Sequence, residues 1–393
     1  MTTQSRKACI FTFFPGGGIG SMTQCFHGLL KDLGYQIDVF YFVQFWHWLR
    51  KEENEFGDIK YRKIPYVPVI FFSQINYLIP SLFLNKLLKK YDLLLSVSGS
   101  FHVSLPFAIN RKKHISKVAT PYYEEHQAKF GPKIRFDLRH VALAIELYVF
   151  RPVGELIERF LYRSKYNKAV LMDSEYTKRI LAVRHGEREG VYVFPYCVDP
   201  DIFKPALTPS VADEPYVFAC GRFNDERKNL DLLLRAFSLF RKLGAKSTQT
   251  KLMIAGFKPS DERAYAQRYG LGDSVVFLGF VTEAEKVRYY QEASLFVLPS
   301  KQEGLGIVVL EAMACGVPVL STKCGGPESI IEDGINGIFT DMDEQKMAAA
   351  MLRVISDPAL AQELRKNGLN RVRECFSKEA ASKVLKEAIG RLG

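Results

Sequence analysis

The run LFVLPSKQEGLGIVVLEAMACGVPVLST, residues 295–322, constrains the fold of this chain more than any other segment. LFVLPS (295–300) is a short apolar stretch that reads as a buried strand, and IVVLEAMACG reads as a helix closed by Gly316. PVLST (318–322) supplies the next strand, which makes a βαβ unit. The same alternation runs through the rest of the chain. ACIFTFF, the loop PGGGIGS, the helix MTQCFHGLLKDLG and the strand QIDVFYFV form a first such unit. DLLLSVSG (92–99), KVAT (117–120), KAVLMDS (168–174) and VYVFPY (191–196) are further buried strands. KPALTPSVADEP, with three prolines, reads as a linker, and the pattern restarts at residue 216 with KLMIAGF (251–257) and VVFLGF (275–280) to follow. At 393 residues the chain is long enough for two α/β cores. The expected division is 1–205, 206–376 and a closing amphipathic helix over 377–393.

Two carboxylates stand out in the 295–322 unit. Glu303 lies in the strand-to-helix loop beside Gly304, Leu305 and Gly306, where backbone N–H groups can approach a ligand at the positive end of the helix. Glu311 sits inside an otherwise apolar helix, a costly place for a carboxylate unless something hydrogen-bonds it, and a ribose or hexose diol offers two donors. Either glutamate alone is most simply a surface charge or a cap. Upstream, PYVFACGRFNDERKNLDLLLRAF places Gly221, Arg222 and Lys228 in a second strand-to-helix turn, with two cations six residues apart that can converge on one diphosphate.

Arg222 with Lys228, Glu303 with Glu311 running into EAMACGVPV, and GGPESIIEDGINGIF (325–339) together resemble the retaining glycosyltransferases of family 4 over roughly residues 215–345. Weaker support comes from the Gly-rich turn near the N-terminus, DSEYTKRIL (173–181) and VDPDIFKP (198–205). The resemblance implies an α/β fold of GT-B type, with two Rossmann-like domains whose parallel sheets face each other across a cleft. It also implies a nucleotide-diphosphate sugar as donor, Arg222 and Lys228 on its diphosphate, Glu303 on the sugar hydroxyls and Glu311 on the ribose. Gly17, Gly18, Gly221, Gly304, Leu305 and Gly306 complete the expected donor-binding set. Retention of configuration, transfer of a hexose such as mannose or glucose, and a final helix crossing back to the first domain come from the resemblance as well. Members often carry a first-domain histidine near the reacting centre. Here the strand KVAT leads into PYYEEHQ, so His126 is the nearest candidate and His102 the other, each with a structural or surface role as the alternative.

Several function classes are set aside by the residues. Gly16, Gly17, Gly18 and Gly20 do not complete GxGxxG, because Ser21 holds the third position and no acidic residue closes the second strand; a nicotinamide cofactor is not expected. No cofactor and no metal are expected: the seven cysteines are scattered without CxxC spacing and there is no HExxH. Asp199 to Asp201 and Asp341 to Asp343 read as turn or cap carboxylates.

The net charge of +11 is concentrated in residues 1–205, which carry 29 Lys and Arg against 19 Asp and Glu. That imbalance points to an anionic partner such as a lipid surface, a lipid-linked acceptor or an acidic glycan, and not to nucleic acid, since no nucleic-acid motif accompanies it. The uncharged run 64–85, flanked by Lys86, Lys89 and Lys90, is weighed as buried core, as an interfacial contact or, least of all, as a span; 140–163 reads as a helix broken at Pro152. The expected location is cytoplasmic, with peripheral contact at the inner face of a membrane as the open alternative. Other readings are a sugar-nucleotide epimerase, a phosphorylase on the same fold, for which no pyridoxal lysine signature is evident, or a non-catalytic sugar-nucleotide-binding protein at a membrane.

Overall fold

A computed structural model describes residues 6–12, 17–44, 54–56, 59–66, 78–119, 151–207 and 215–393. His126, residues 67–77 of the uncharged run and residues 140–150 of the expected helix lie outside the described residues. The chain divides into two units, Met1–Tyr196 with Lys378–Gly393, and Cys197–Ser377.

The first unit is built on eight described strands: β1 (Lys7–Thr12), β2 (Gln36–Gln44), β3 (Asn54–Phe56), β4 (Ile59–Tyr66), β5 (Leu93–Ser98), β6 (His114–Val118), β7 (Asn167–Met172) and β8 (Val191–Val193). Their order is β3-β4-β2-β1-β5-β6-β7-β8, parallel throughout except for the antiparallel edge pair β3–β4. Ile10 is paired with Val39 on one side and Leu95 on the other. Central strands of such a sheet are covered on both faces, so they read as continuous apolar runs and not as alternation. Phe11 accordingly packs among Phe40, Phe42 and Phe107, with ring centroids 5.5, 5.9 and 4.9 Å away.

The second unit carries β9 (Tyr216–Cys220), β10 (Lys251–Ala255), β11 (Val275–Gly279), β12 (Leu295–Leu298), β13 (Val319–Thr322) and β14 (Ile338–Thr340), in the order β11-β10-β9-β12-β13-β14 with every pair parallel. Its core sets Leu233, Phe237 and Phe240 of helix Leu230–Phe240 against Val217, Leu252 and Met351. Both sheets are therefore doubly wound in the expected α/β class.

Two boundaries differ from the sequence reading. The division falls at Tyr196/Cys197 and not at 205, because VDPDIFKP packs into the second unit: Phe203 is buried beneath Lys286, whose Nζ stands 5.0 Å from the ring centroid, and Val198 N donates to Phe376 O. The first helix spans Gly17–Asp32, so Gly17 and Gly18, expected in the loop, form its first turn. The closing helix, Lys378–Gly390, clusters with the first unit, burying Ala381, Leu385 and Ala388 and pairing Lys378 with Asp32 at 2.6 Å. Pro152 lies in the first described turn of helix Arg151–Arg163, where proline is tolerated. Among the described residues no helix is long and apolar enough to cross a membrane.

Candidate functional site

In the second sheet β9 lies at the middle, and the chain winds first to β10 and β11 on one side and then to β12, β13 and β14 on the other. Open α/β sheets bind ligands at the carboxyl ends of the strands where the winding reverses, here β9 and β12. The loops leaving those two strands hold the cations and carboxylates picked out in the sequence.

After β9, Gly221 and exposed Arg222 lead into a single turn, Glu226–Lys228. Asp225 caps that turn, accepting from Arg227 N at 3.0 Å and from Arg227 Nη2 at 2.6 Å. Burial pushes the Asp225 carboxyl up, but the bonds from Arg227 outweigh it and hold the group below its ordinary value. After β12, Lys301 N donates to Arg227 O at 2.7 Å, which ties the two loops together through their backbones. Lys228 Nζ and Ser300 Oγ both donate to Glu303 Oε1, each at 2.6 Å. The side chains of Lys228 and Glu303 are only 16% and 12% exposed, so the pair is partly sheltered from screening. Among the described residues Glu303 Oε2 takes no hydrogen bond and the Arg222 guanidinium makes no ion pair.

The Glu303 backbone is held as firmly as its side chain. Its N–H donates to Cys324 O at 2.8 Å, and Gly326 N donates to Glu303 O at 2.9 Å. A Cβ on Gly326 would stand 2.3 Å from Leu305 Cα and 2.4 Å from Leu305 N, so only glycine lets these segments approach. Gly326→Ala is therefore expected to displace the 303–306 loop and cost about 1–3 kcal/mol. Calorimetric unfolding checks the cost; an unchanged midpoint contradicts it. Gly306 turns the chain into helix Ile307–Ala314 at φ 86°, left-handed, with no side-chain cap. Val309 N donates to Gly306 O at 2.8 Å, while the N–H groups of Ile307 and Val308 take no acceptor among the described residues and face the positive helix end.

Glu311 lies on the same helix, one residue beyond Leu310. It is 4% exposed; Lys286 Nζ donates to its Oε1 at 2.9 Å and Tyr290 Oη to its Oε2 at 3.0 Å. Burial pushes the Glu311 carboxyl up, with Lys286 and Tyr290 holding part of the rise back. Lys286 is raised because the Glu311 carboxylate outweighs its own burial. A diol is therefore not needed to satisfy Glu311, since protein groups meet both oxygens. Lys286 and Tyr290 were missed in the sequence. They stand one helical turn apart on Glu283–Glu292, whose start is legible as the capping box Thr282 to Glu285, but nothing in the sequence aims them at a residue more than 20 positions away.

In the first unit the winding reverses between β1 and β5. Gly18, at the start of the helix after β1, is exposed. His102 lies just past the carboxyl end of β5, 4% exposed, with Nδ1 3.0 Å from Ser100 Oγ. Beside it, a buried ion pair joins Lys117 of β6 to Asp173, the residue after β7. Among the described residues no three His, Cys, Asp or Glu side chains are grouped as a metal would require. Asp199 Oδ1 accepts from Asp201 N at 2.9 Å, and Asp343 caps helix Glu344–Ser356, accepting from Gln345 N and Lys346 N.

Residues 203–371 match the family "Glycosyl transferases group 1". The chain is 31% identical over 206 residues to the GDP-mannose-dependent alpha-(1-6)-phosphatidylinositol monomannoside mannosyltransferase of Mycolicibacterium smegmatis, covering 48% of this chain and 53% of that protein. It is 27% identical over 202 residues to the D-inositol 3-phosphate glycosyltransferase of Acidothermus cellulolyticus, covering 48% and 45%. The chain thus spans about half the length of these curated relatives. Among solved structures, the sucrose-phosphate synthase of Thermosynechococcus elongatus superposes with a TM-score of 0.78 at 20% identity, covering 98% of this chain and 99% of that one. HepE of Anabaena, in complex with UDP and glucose, gives 0.70 at 18% identity, covering 97% and 99%. At these identities the likeness is one of fold, the GT-B arrangement of two Rossmann-like domains. The match to the glycosyl transferases group 1 thus rests on residues 203–371, and the solved structures share the fold that carries them.

Proposed function

We propose that this chain is a glycosyltransferase that moves a hexose from a nucleoside-diphosphate sugar to a hydroxyl of a glycan or lipid-linked acceptor. The observation that carries the reading is the Lys228–Glu303 pair at 2.6 Å, set with Arg222, which pairs with no described carboxylate, and a helix end without a side-chain cap at the reversal point of the second sheet. Breaking a sugar–phosphate bond builds negative charge on the departing diphosphate and positive charge on the anomeric carbon. Arg222, Lys228 and the first-turn N–H groups of Ile307–Ala314 supply fixed positive charge for the first. Glu303 Oε2 is free to accept from sugar hydroxyls and orient the ring. HepE with UDP and glucose, and a GDP-mannose-dependent relative, support a nucleotide sugar as donor. Retention of configuration and a metal-free leaving group belong to this proposal, as does a first-unit histidine, His126 or His102, the latter buried just past the carboxyl end of β5. An epimerase on the same fold or a donor-binding protein without catalysis is less favoured, because the family match is to transferases.

A thermal-shift panel of UDP, GDP and ADP with their sugars tests the donor: one nucleotide series is expected to raise the midpoint, and no shift with any of them overturns the reading. Transfer is expected to survive EDTA, because the cations do the work of a metal; strict dependence on Mg²⁺ or Mn²⁺ contradicts that part.

The acceptor side is proposed to meet an anionic membrane. Leu82 and Phe83 of helix Leu78–Phe83 are 58% and 80% exposed, and Lys86, Lys89 and Lys90 follow at the surface. Each such lysine contributes roughly 1 kcal/mol near an anionic leaflet. Sedimentation with phosphatidylglycerol vesicles is expected to fall as salt rises and to weaken when the three lysines become Gln. Protein that stays in the supernatant at low salt points instead to a soluble acceptor.

A further inference from the structure

A cavity of about 410 Å³ lies in the first unit, at the amino ends of β7 and β8. We propose that it is a second binding site, for a phosphate-bearing anion, separate from the donor site and independent of the transferase reading. Five cations line it, Arg163, Lys165, Lys168, Arg188 and Arg391, against one lining carboxylate, Glu189.

What holds those cations in place is neutral. Arg188 donates to the carbonyls of Tyr162, Asn167 and Glu189, and its guanidinium lies 5.5 Å from the Tyr162 ring centroid. Arg163 donates twice to His185 O, and Arg391 Nε donates to Tyr192 Oη at 2.6 Å. These bonds fix the guanidinium planes without cancelling their charge. Glu189 reaches Arg391 only at 3.6 Å and is 91% exposed, so solvent screens it. Lys168, half-buried at the start of β7, makes no ion pair with a described residue. Burial lowers Arg188 below the ordinary arginine value, and Arg391 and Arg163 add to the fall, as crowded like charges do.

Preorganised guanidinium forks beside an ammonium match a tetrahedral phosphate oxyanion in geometry as well as sign. The volume falls within the roughly 300–1,000 Å³ of small-molecule sites. The position excludes the role of reacting centre: Asn167 and Lys168 open β7 and Glu189 precedes β8, whereas doubly wound sheets bind their substrates at the carboxyl ends. Two sources share this chemistry, a free oligophosphate and a phospholipid headgroup. The second is included because helix Arg151–Arg163, which ends at the cavity, exposes Leu156 and Phe160.

The test uses the full chain carrying Arg222→Ala and Lys228→Ala, so that the donor site cannot contribute. Titration calorimetry with inorganic tripolyphosphate is expected to show salt-sensitive binding that weakens at least tenfold when Lys168→Ala and Arg391→Ala are added. Lys168→Ala alone, which removes no described contact, is expected to weaken it severalfold with an unchanged unfolding midpoint. Vesicles of phosphatidylglycerol form the second arm: binding lost in the same Lys168/Arg391 variant and competed by tripolyphosphate assigns the headgroup, while tripolyphosphate binding without vesicle binding assigns a free phosphate. Absence of both, or binding indifferent to Lys168 and Arg391, overturns the site.

Discussion

Lys228→Ala is expected to lower sugar transfer by about 10²- to 10³-fold, the loss typical of removing one preorganised contact to transition-state charge. Two effects add in this variant. The leaving diphosphate loses a cation, and Glu303 loses the Nζ bond that fixes its carboxylate, keeping only Ser300 on Oε1. Arg222→Ala separates the two. Arg222 is exposed and holds no described side chain, so its removal leaves Glu303 in place and tests the charge alone. The fall is expected in kcat for both variants, with an unfolding midpoint close to wild type for Arg222→Ala. Glu303→Gln keeps the size of the side chain, removes its charge and is expected to depress kcat more than donor affinity. Wild-type turnover in Arg222→Ala or Lys228→Ala overturns the diphosphate assignment.

The elements of the second unit were legible because each strand is apolar on both faces and bounded by glycine, proline or charge. LFVLPS corresponds to Leu295–Leu298, KLMIAGF to Lys251–Ala255 and VVFLGF to Val275–Gly279. The order of the strands was not legible, since parallel neighbours need share no turn and leave no local mark in the chain. That order is what brings Gly221–Lys228 next to Ser300–Gly306, so the sequence named the residues while the winding explains why they meet. The antiparallel edge strand Asn54–Phe56 escaped notice because three residues carry no period. The glycines at 17, 18 and 20 read as loop by their composition, yet the chain is helical from Gly17, where packing overrides a weak local propensity.

Glu311→Gln is expected to lower stability by about 3 kcal/mol, near the lower end of what breaking a buried ion pair costs. The low end applies because the Lys286 side chain keeps 19% of its exposure, whereas Glu311 keeps 5%. For a unit of this size the loss corresponds to a fall of roughly 6–12 °C in the unfolding midpoint. Removing both charges in Lys286→Met/Glu311→Gln is expected to recover part of it, since no buried ammonium is then left without its carboxylate; the double-mutant cycle reads the coupling directly. The pH dependence has the same sign for the two partners and differs in the range where it falls. Lys286 is raised in the folded state, so its contribution is complete below the ordinary lysine value and is lost as pH climbs through the higher folded one. Glu311 is also raised, mainly by burial, so its ionisation subtracts stability as pH rises from the ordinary carboxylate range through its folded value. Wild type is therefore expected to lose its advantage over the double variant in strong alkali. The ribose role makes a separate demand: a folded Glu311→Gln protein, measured below its lowered midpoint, is expected to bind the free nucleoside diphosphate more weakly than wild type. Equal affinity would leave Glu311 as the anchor of Lys286 and Tyr290, holding helices Glu283–Glu292 and Ile307–Ala314 together behind the site and touching no ligand.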